Sequence, residues 1–218
     1  MSDVEELYDY DDLRTLKDPT MIVARVERPT LVLGSGQSRE VIDPASLGAT
    51  SLRRRRGGGG VVLLRPRDLW VDWWIPRDDA RWSPDVHLSS LDAGTWWSTA
   101  LQPLVEGPLH LHRGALEGAR AHRVVCFAGR GPGEVFLEGR KLVGVTQWRV
   151  REGVFLSSVL GVEATIDVLA YLADAPAGLA DALDAHPLDP SRFNAEALLT
   201  GLRETSGPWE QRAVHLVD

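Results

Sequence analysis

"EVFLEGRKLVGVTQWRV", residues 134–150, followed closely by "GVFLSSVLGV" at 153–162, is the stretch from which the fold is read. Apolar runs flank Glu138–Gly139, a pair suited to a tight turn, so the stretch predicts a hairpin and then a further strand. In the second arm Val143, Val145 and Val150 fall among Thr146, Gln147 and Arg149, so the alternation is only partial. Upstream, "MIVARV" at 21–26 and "TLVLG" at 30–34 read as strands around Glu27–Arg28–Pro29. "VVLL" at 61–64, "LWVDWWIP" at 69–76 and "RVVCFAG" at 123–129 read as further, buried strands. Residues 86–105 predict a helix holding Trp96 and Trp97. Beyond 162 the character changes: 164–174, 178–185 and 194–204 are rich in Ala, Leu and charged residues and predict short helices. Strands first and helices last indicate an α+β fold with a mixed or antiparallel sheet and flanking helices, not a doubly wound one.

Between the early strands stands "SLRRRRGGGGVVLL", residues 51–64. A glycine run brings backbone N–H groups close to an anion, and arginines neutralise it. The plain alternative is a flexible basic loop. The chain as a whole is acidic, with a net charge of −7 over 218 residues, which argues against nucleic acid as a partner. No apolar stretch is long enough to span a membrane, and the acidic start "MSDVEELYDYDDL" is unlike a signal or transit peptide. A single cysteine, Cys126, allows no intrachain disulfide, and a cytoplasmic location is expected. The expected organisation is an acidic N-terminal arm over 1–20 and one domain over 21–218.

Three segments together carry a family resemblance. "RRGGGGVV" at 55–62 resembles the Arg-Arg-small-Gly-Gly-Gly-x-Val motif of the lipoate–protein ligase and octanoyltransferase family. "VFLEGRKLVGVTQWRVREGVFLSSVL" at 135–160 is similar to that family's second signature, Gly-x-Lys-x-x-Gly followed by Gln, an Arg-rich strand and an apolar strand. "RPTLVLGSGQ" at 28–37 resembles the strand and loop that precede the glycine motif. Their order and spacing fit across roughly residues 20–205. The resemblance implies a domain related to biotin protein ligases and the cores of class II aminoacyl-tRNA synthetases. It implies an enzyme that attaches a lipoyl or octanoyl group to a lysine of a lipoyl domain. A ligase would use ATP and Mg²⁺ with lipoate or octanoate; a transferase would take octanoate from acyl carrier protein, in some members through a cysteine thioester. The implied partners are lipoyl domains of 2-oxoacid dehydrogenases or the glycine cleavage H protein.

The same resemblance implies the site. Lys141 would be the fixed cation that stabilises charge developing at the acyl carbonyl; the plain alternative is an exposed hairpin lysine. Its removal is expected to stop transfer and to leave folding nearly intact. Gly58, Gly59 and Gly60 would pass against the acyl chain, with Arg55 and Arg56 at the mouth holding phosphate or carboxylate. One register earlier, Arg54 and Arg55, stays open, and Arg53 and Arg54 are expected to be solvated. Gly144 and Gln147 fall in the second signature as substrate-binding positions. Cys126 has two readings. Its apolar flanks suit an inert buried thiol, whereas its spacing to Lys141 is similar to that in cysteine-dependent octanoyltransferases, where it would be a nucleophile.

The chain departs from the family pattern in places. Gly133–Glu134 stands where many ligases carry Asn-Asp, leaving Glu134 as the candidate ligand for Mg²⁺. Leu156–Ser157 replaces a His-Gly pair, Gln147–Trp148 a Gln-Arg pair, and the small C-terminal accessory domain of many ligases is not expected. These departures keep two alternatives in view: an ATP-independent octanoyltransferase, and a non-catalytic module that holds a lipoyl domain or cofactor. The Gly-Arg-Gly-Arg pattern of biotin ligases is not evident. Six of the eight tryptophans lie within 70–97 and are expected to be mostly core, with Trp73 or Trp74 lining an acyl pocket. "LHLHRG" places His110 and His112 on one face of a surface strand, with no third metal ligand in view. "GRGPGEV" at 129–135 lacks the Lys-Ser/Thr of a phosphate loop.

Overall fold

The computed structural model describes residues 4–183, 188 and 193–216. A short helix α1 (Tyr10–Leu13) precedes strands β1 (Thr20–Val26), β2 (Thr30–Leu33), β3 (Ser51–Arg54), β4 (Val62–Leu64) and β5 (Leu69–Pro76). Helix α2 (Val86–Leu101) follows, then β6 (Leu109–Leu111), β7 (Val135–Leu137), β8 (Arg140–Arg149) and β9 (Gly153–Leu160). Helices α3 (Leu179–Leu183) and α4 (Ala195–Ser206) and strand β10 (Glu210–Leu216) complete it. The strands form a seven-stranded sheet in the order β10-β1-β5-β9-β8-β7-β6 and a three-stranded sheet in the order β3-β2-β4. Among the described residues the β1–β10 and β2–β3 strand pairings are parallel and the other strand pairings antiparallel, so the expected mixed sheet is present.

Strand β5 shows how the layers assemble. Side chains alternate across a sheet with period two. Val71, Trp73 and Ile75 therefore face the layer of α2 and α4, packing with Trp97, Leu101, Leu198 and Leu202. Trp70 and Trp74 face the other way, toward Leu31, Leu33 and Val62 of the small sheet and Leu7 and Tyr10 of the N-terminal segment. Both faces are covered, which is why β5 reads as an unbroken apolar run and not as an alternation. The 138–139 turn forms as expected, with Glu138 at φ 51° and Gly139 at φ 78°, both left-handed as a two-residue hairpin turn of that kind requires.

Several expectations are corrected. Residues 123–129 are not a strand: they lie in 3₁₀ turns, Arg120–Val124 and Cys126–Ala128, with an isolated bridge between Val61, just before β4, and Val125 as their ladder contact. An apolar run reports burial and not a ladder. Residues 165–171 also form a 3₁₀ helix, and the 86–105 helix ends at Leu101, giving way to a 3₁₀ turn over Gln102–Leu104. The helix expected over 178–185 appears as α3; positions 184 and 185 lie outside the described residues. Strands β3 and β10 were not expected, and β3 includes the first two arginines of the run. Among the described residues no helix is long and apolar enough to cross a membrane.

Candidate active site

The loop joining β3 to β4, residues 55–61, crosses in front of β8 and β9. Its glycines permit close approach. A Cβ on Gly60 would stand 2.6 Å from the Arg123 carbonyl oxygen and 2.7 Å from the Cys126 nitrogen, so any larger residue would push the loop off the 123–126 segment. That segment is tied down by Val61 N–H donating to the Val124 carbonyl (2.8 Å) and Cys126 N–H donating to the Val61 carbonyl (3.0 Å). Between loop, turn and sheet lies a cleft of about 410 Å³. Gly58, Gly59, Gly60, Arg55, Cys126, Glu134, Lys141, Gly144 and Gln147 all border it. Its inner end is made by the buried Val62, Trp70, Ser157 and Val159. Its rim includes Val86 and Leu116, which are 53% and 54% exposed.

Lys141 is no exposed hairpin lysine. It is 7% exposed, and its ammonium lies 2.6 Å from Glu134 Oε2 and donates to the Cys126 carbonyl at 2.6 Å. Two of its three N–H donors are thus directed, leaving one for a guest in the cleft. Glu134 also accepts from Gly131 N–H at 2.6 Å. Burial raises the Glu134 pKa, and the Lys141 charge opposes that rise. This pairing corrects the expectation that removing Lys141 spares the fold, because truncation would strand a buried carboxylate. It also bears on the metal. Glu134 already has a cation at contact distance, and among the described residues no group of three or more His, Cys, Asp or Glu could hold a metal ion.

The cysteine sits beside this pair. A Cβ on Gly144 would stand 2.9 Å from Cys126 Sγ and 4.0 Å from Glu134 Oε1, so the glycine makes room for the thiol against β8. Desolvation raises the thiol pKa, with Lys141 acting against it. At rest the sulfur is a thiol and not a thiolate.

The arginines divide. Arg55 is buried, and its guanidinium donates to the carbonyls of Gly58 (2.7 Å), Gly60 (2.8 Å) and Val32 (3.0 Å). It therefore holds the glycine loop in shape and forms cleft wall, and burial lowers its pKa. Arg56, expected at the mouth, turns away: it pairs with Glu6 (2.7 Å) and Asp11 (2.8 Å) and stacks over Trp148, 4.7 Å from the ring centre. Acidic side chains of the N-terminal segment are the anions this arginine holds. Arg53 and Arg54 are not solvated either, for Arg53 pairs with Glu5 and Arg54 donates to the Gln37 carbonyl at 2.6 Å.

Gln147 borders the cleft, but its amide nitrogen donates to the Val86 carbonyl (2.7 Å) and Ser90 Oγ (2.8 Å), anchoring the start of α2 as a cleft wall. Trp73 and Trp74 are core; Trp70 is the tryptophan that lines the cleft. Period-two alternation along 70–74 could have told Trp70 and Trp74 from Trp73, but not which of the two meets the cleft. His112 is buried beyond the end of β6, its ring bonded to the Ala115 carbonyl at 2.9 Å, while His110 is exposed. A second cavity, about 400 Å³, opens on the far side of Lys141, bordered by Arg130, Glu138, Arg140, Thr165 and Asp181.

No family model matches the sequence, and no curated protein matches it. The structure is similar to solved ones. A T. acidophilum protein assigned as a lipoate protein ligase, with lipoic acid bound, is 19% identical with a TM-score of 0.62, the match covering 90% of this chain and 76% of that one. Lipoate-protein ligase A bound with ATP is 20% identical at a TM-score of 0.62, over 92% and 77% of the two chains. A bi-partite lipoate protein ligase from Thermoplasma acidophilum, described with its E2 lipoyl domain, is 18% identical at 0.61, over 92% and 78%.

Proposed function

The chain has the fold of lipoate protein ligases, and from it we propose an acyltransferase of the ligase type, one that attaches a lipoyl or octanoyl group to a lysine of a lipoyl domain. The observation that carries this reading is Lys141, nearly buried where an apolar-ended cleft meets a polar cavity. The acyl tail lies toward Val62, Trp70 and Val159, where each buried methylene contributes ~0.8 kcal/mol. The carboxyl end then reaches Lys141. An adenylated acid places its nucleotide in the second cavity, beside Arg130 and Arg140. The neutral amine of the target lysine attacks the acyl carbon; a C–N bond forms, the bond to the leaving group breaks, and the proton the amine sheds goes to solvent. The remaining N–H of Lys141 stabilises the oxyanion that appears between these events. Glu134, in contact with the ammonium, holds the lysine in place.

A second reading, transfer through a thioester on Cys126, is favoured by one observation: the thiol lines the cleft beside Lys141, with Gly144 making room for it. One experiment separates them. A lipoyl domain is incubated with the protein and either octanoate plus ATP or octanoyl–acyl carrier protein, and its intact mass is followed. Gain of one acyl group with ATP supports the ligase, and gain only from the carrier protein supports the thioester path. No gain from either donor overturns both.

A further inference from the structure

The N-terminal segment reaches the inner end of this cleft through a chain of three side chains. Residues 5–7 run beside β3, with Leu7 N–H donating to the Arg54 carbonyl and Arg54 N–H to the Glu5 carbonyl, both at 2.8 Å. Arg56 clamps the same segment through Glu6 and Asp11. So fixed, Tyr8 turns inward and its hydroxyl donates to Asp72 Oδ2. The other carboxylate oxygen, Oδ1, accepts from Trp70 Nε1 at 2.7 Å. Asp72 is wholly buried, and Trp70 forms part of the cleft's inner end.

A buried carboxylate with no Arg or Lys in contact is a costly object in a core. Isolated in an apolar layer it would serve stability poorly compared with a leucine. Its position has a clear consequence all the same. One edge of the buried Trp70 ring meets the cleft, and its N–H needs an acceptor, which Asp72 supplies from a fixed place on the same strand. We infer that Tyr8 and Asp72 are specificity-determining residues for the acyl tail: Tyr8 orients Asp72, Asp72 fixes the Trp70 ring, and that ring sets the depth of the cleft. The inference rests on the reading of the cleft as an acyl-tail site.

The surrounding charges agree with this assignment. Burial pushes Asp72 up to about 7, while Tyr8, the cleft-lining Ser157, Trp70 and the charge of Arg55 act against that rise. Tyr8 itself is raised well above its ordinary value by burial and by Asp72, so its hydroxyl keeps its proton and remains a donor. Tyr10 lies beside Tyr8, its ring centre 4.6 Å away, and burial, then Asp72, raise its pKa too. Neither tyrosine borders the cleft, so each acts on a guest only through what it holds.

The test uses the full chain and fatty acids of graded length, hexanoate to dodecanoate, with affinities measured by calorimetry. Wild type is expected to prefer one length. Tyr8→Phe, which removes only the hydroxyl, is expected to shift the decanoate-to-octanoate affinity ratio toward the longer acid by about tenfold, the scale of two buried methylenes. Trp70→Phe, which keeps an aromatic ring but has no N–H, is expected to shift it the same way and keeps the test alive if Tyr8→Phe folds poorly. Leu7→Ala is the control: it empties core in the same segment and should lower the melting temperature without moving the ratio. An unchanged ratio in a folded Tyr8→Phe or Trp70→Phe protein, or an equal shift in Leu7→Ala, overturns the inference and leaves the proposed function standing. Wild type binding none of these acids overturns the acyl reading of the cleft, and the inference with it.

Discussion

The arginine run and the hairpin both bring cations to the cleft, and they use them in opposite ways. In the run, charge is turned inward: Arg53, Arg54 and Arg56 are bonded to the N-terminal segment and nearby carbonyls, and Arg55 to the loop itself. In the hairpin, Lys141 is paired with one carboxylate and one carbonyl and still has a donor for the cleft. The difference follows from the side chains. A guanidinium has five donors in a rigid fork and is suited to gathering several carbonyls at once, whereas an ammonium is a compact charge that can serve a reacting atom. Cations in a glycine-rich motif are therefore not all ligand-binding, and burial with full partners is what tells them apart.

The sharpest way to break this comparison is at Lys141. Replacing Lys141 by Met together with Glu134 by Gln removes both charges and preserves volume. We expect transfer to fall about a hundred- to thousand-fold, or ~3–4 kcal/mol of transition-state stabilisation, with a melting curve close to wild type. Lys141→Ala alone should lose transfer and also melt lower, since Glu134 is then buried without a partner. A double variant that folds and still turns over normally would remove Lys141 from the chemistry.

Next come the two adjacent arginines. Arg55→Ala leaves the carbonyls of Val32, Gly58 and Gly60 without this donor. On that ground it should cost about 3 kcal/mol of stability and loosen the loop. Arg56→Ala breaks partly exposed pairs and should cost about 1 kcal/mol at most. Equal losses in chemical denaturation would erase the contrast between scaffold and surface clamp.

Asp72 gives a pH test. Its folded pKa of about 7 lies above the ordinary carboxylate value of 3.8. Between about pH 4 and 7 the folded protein keeps a proton that the unfolded chain has released. Stability from this group is therefore full below that window and declines as pH rises through it, by at most ~1.4 kcal/mol per pH unit. Asp72→Asn should flatten the melting profile over that range. A variant profile parallel to wild type would mean that Asp72 does not carry the proton.

Cys126 is the position where the ligase reading expects no loss of activity. Under the ligase reading Cys126→Ser costs about 1–3 kcal/mol of stability through polar burial and leaves ATP-dependent transfer in place. Labelling of the free protein by octanoyl–acyl carrier protein, lost in the serine variant, would move the assignment to the thioester path.

Much of this was legible beforehand. The hairpin at 134–150 announces itself because strand, turn and strand are adjacent in sequence, and the glycine run marks a close approach because only glycine tolerates one. The 123–129 segment reads as a strand in sequence because buried turns and buried strands share a composition. The N-terminal segment was read as an acidic arm, yet Leu7, Tyr10 and Leu13 of that segment are buried in the common core. Acidic spacing hid three apolar side chains, and their partners lie dozens of residues away.

By itself the sequence determined most of the early strands, the helix at 86–101, the hairpin that carries Lys141 and the glycine loop that faces it. Each of these depends on residues a few positions apart, whose turn and periodicity preferences act locally. Only the tertiary structure decided that Glu134 pairs with Lys141, that Arg56 faces away from the cleft, and that Trp70 and not its neighbours meets the cleft. Those outcomes turn on charges and rings brought together by packing. The free energy of a buried charge depends on what lies within a few ångströms in space, which spacing along the chain does not encode.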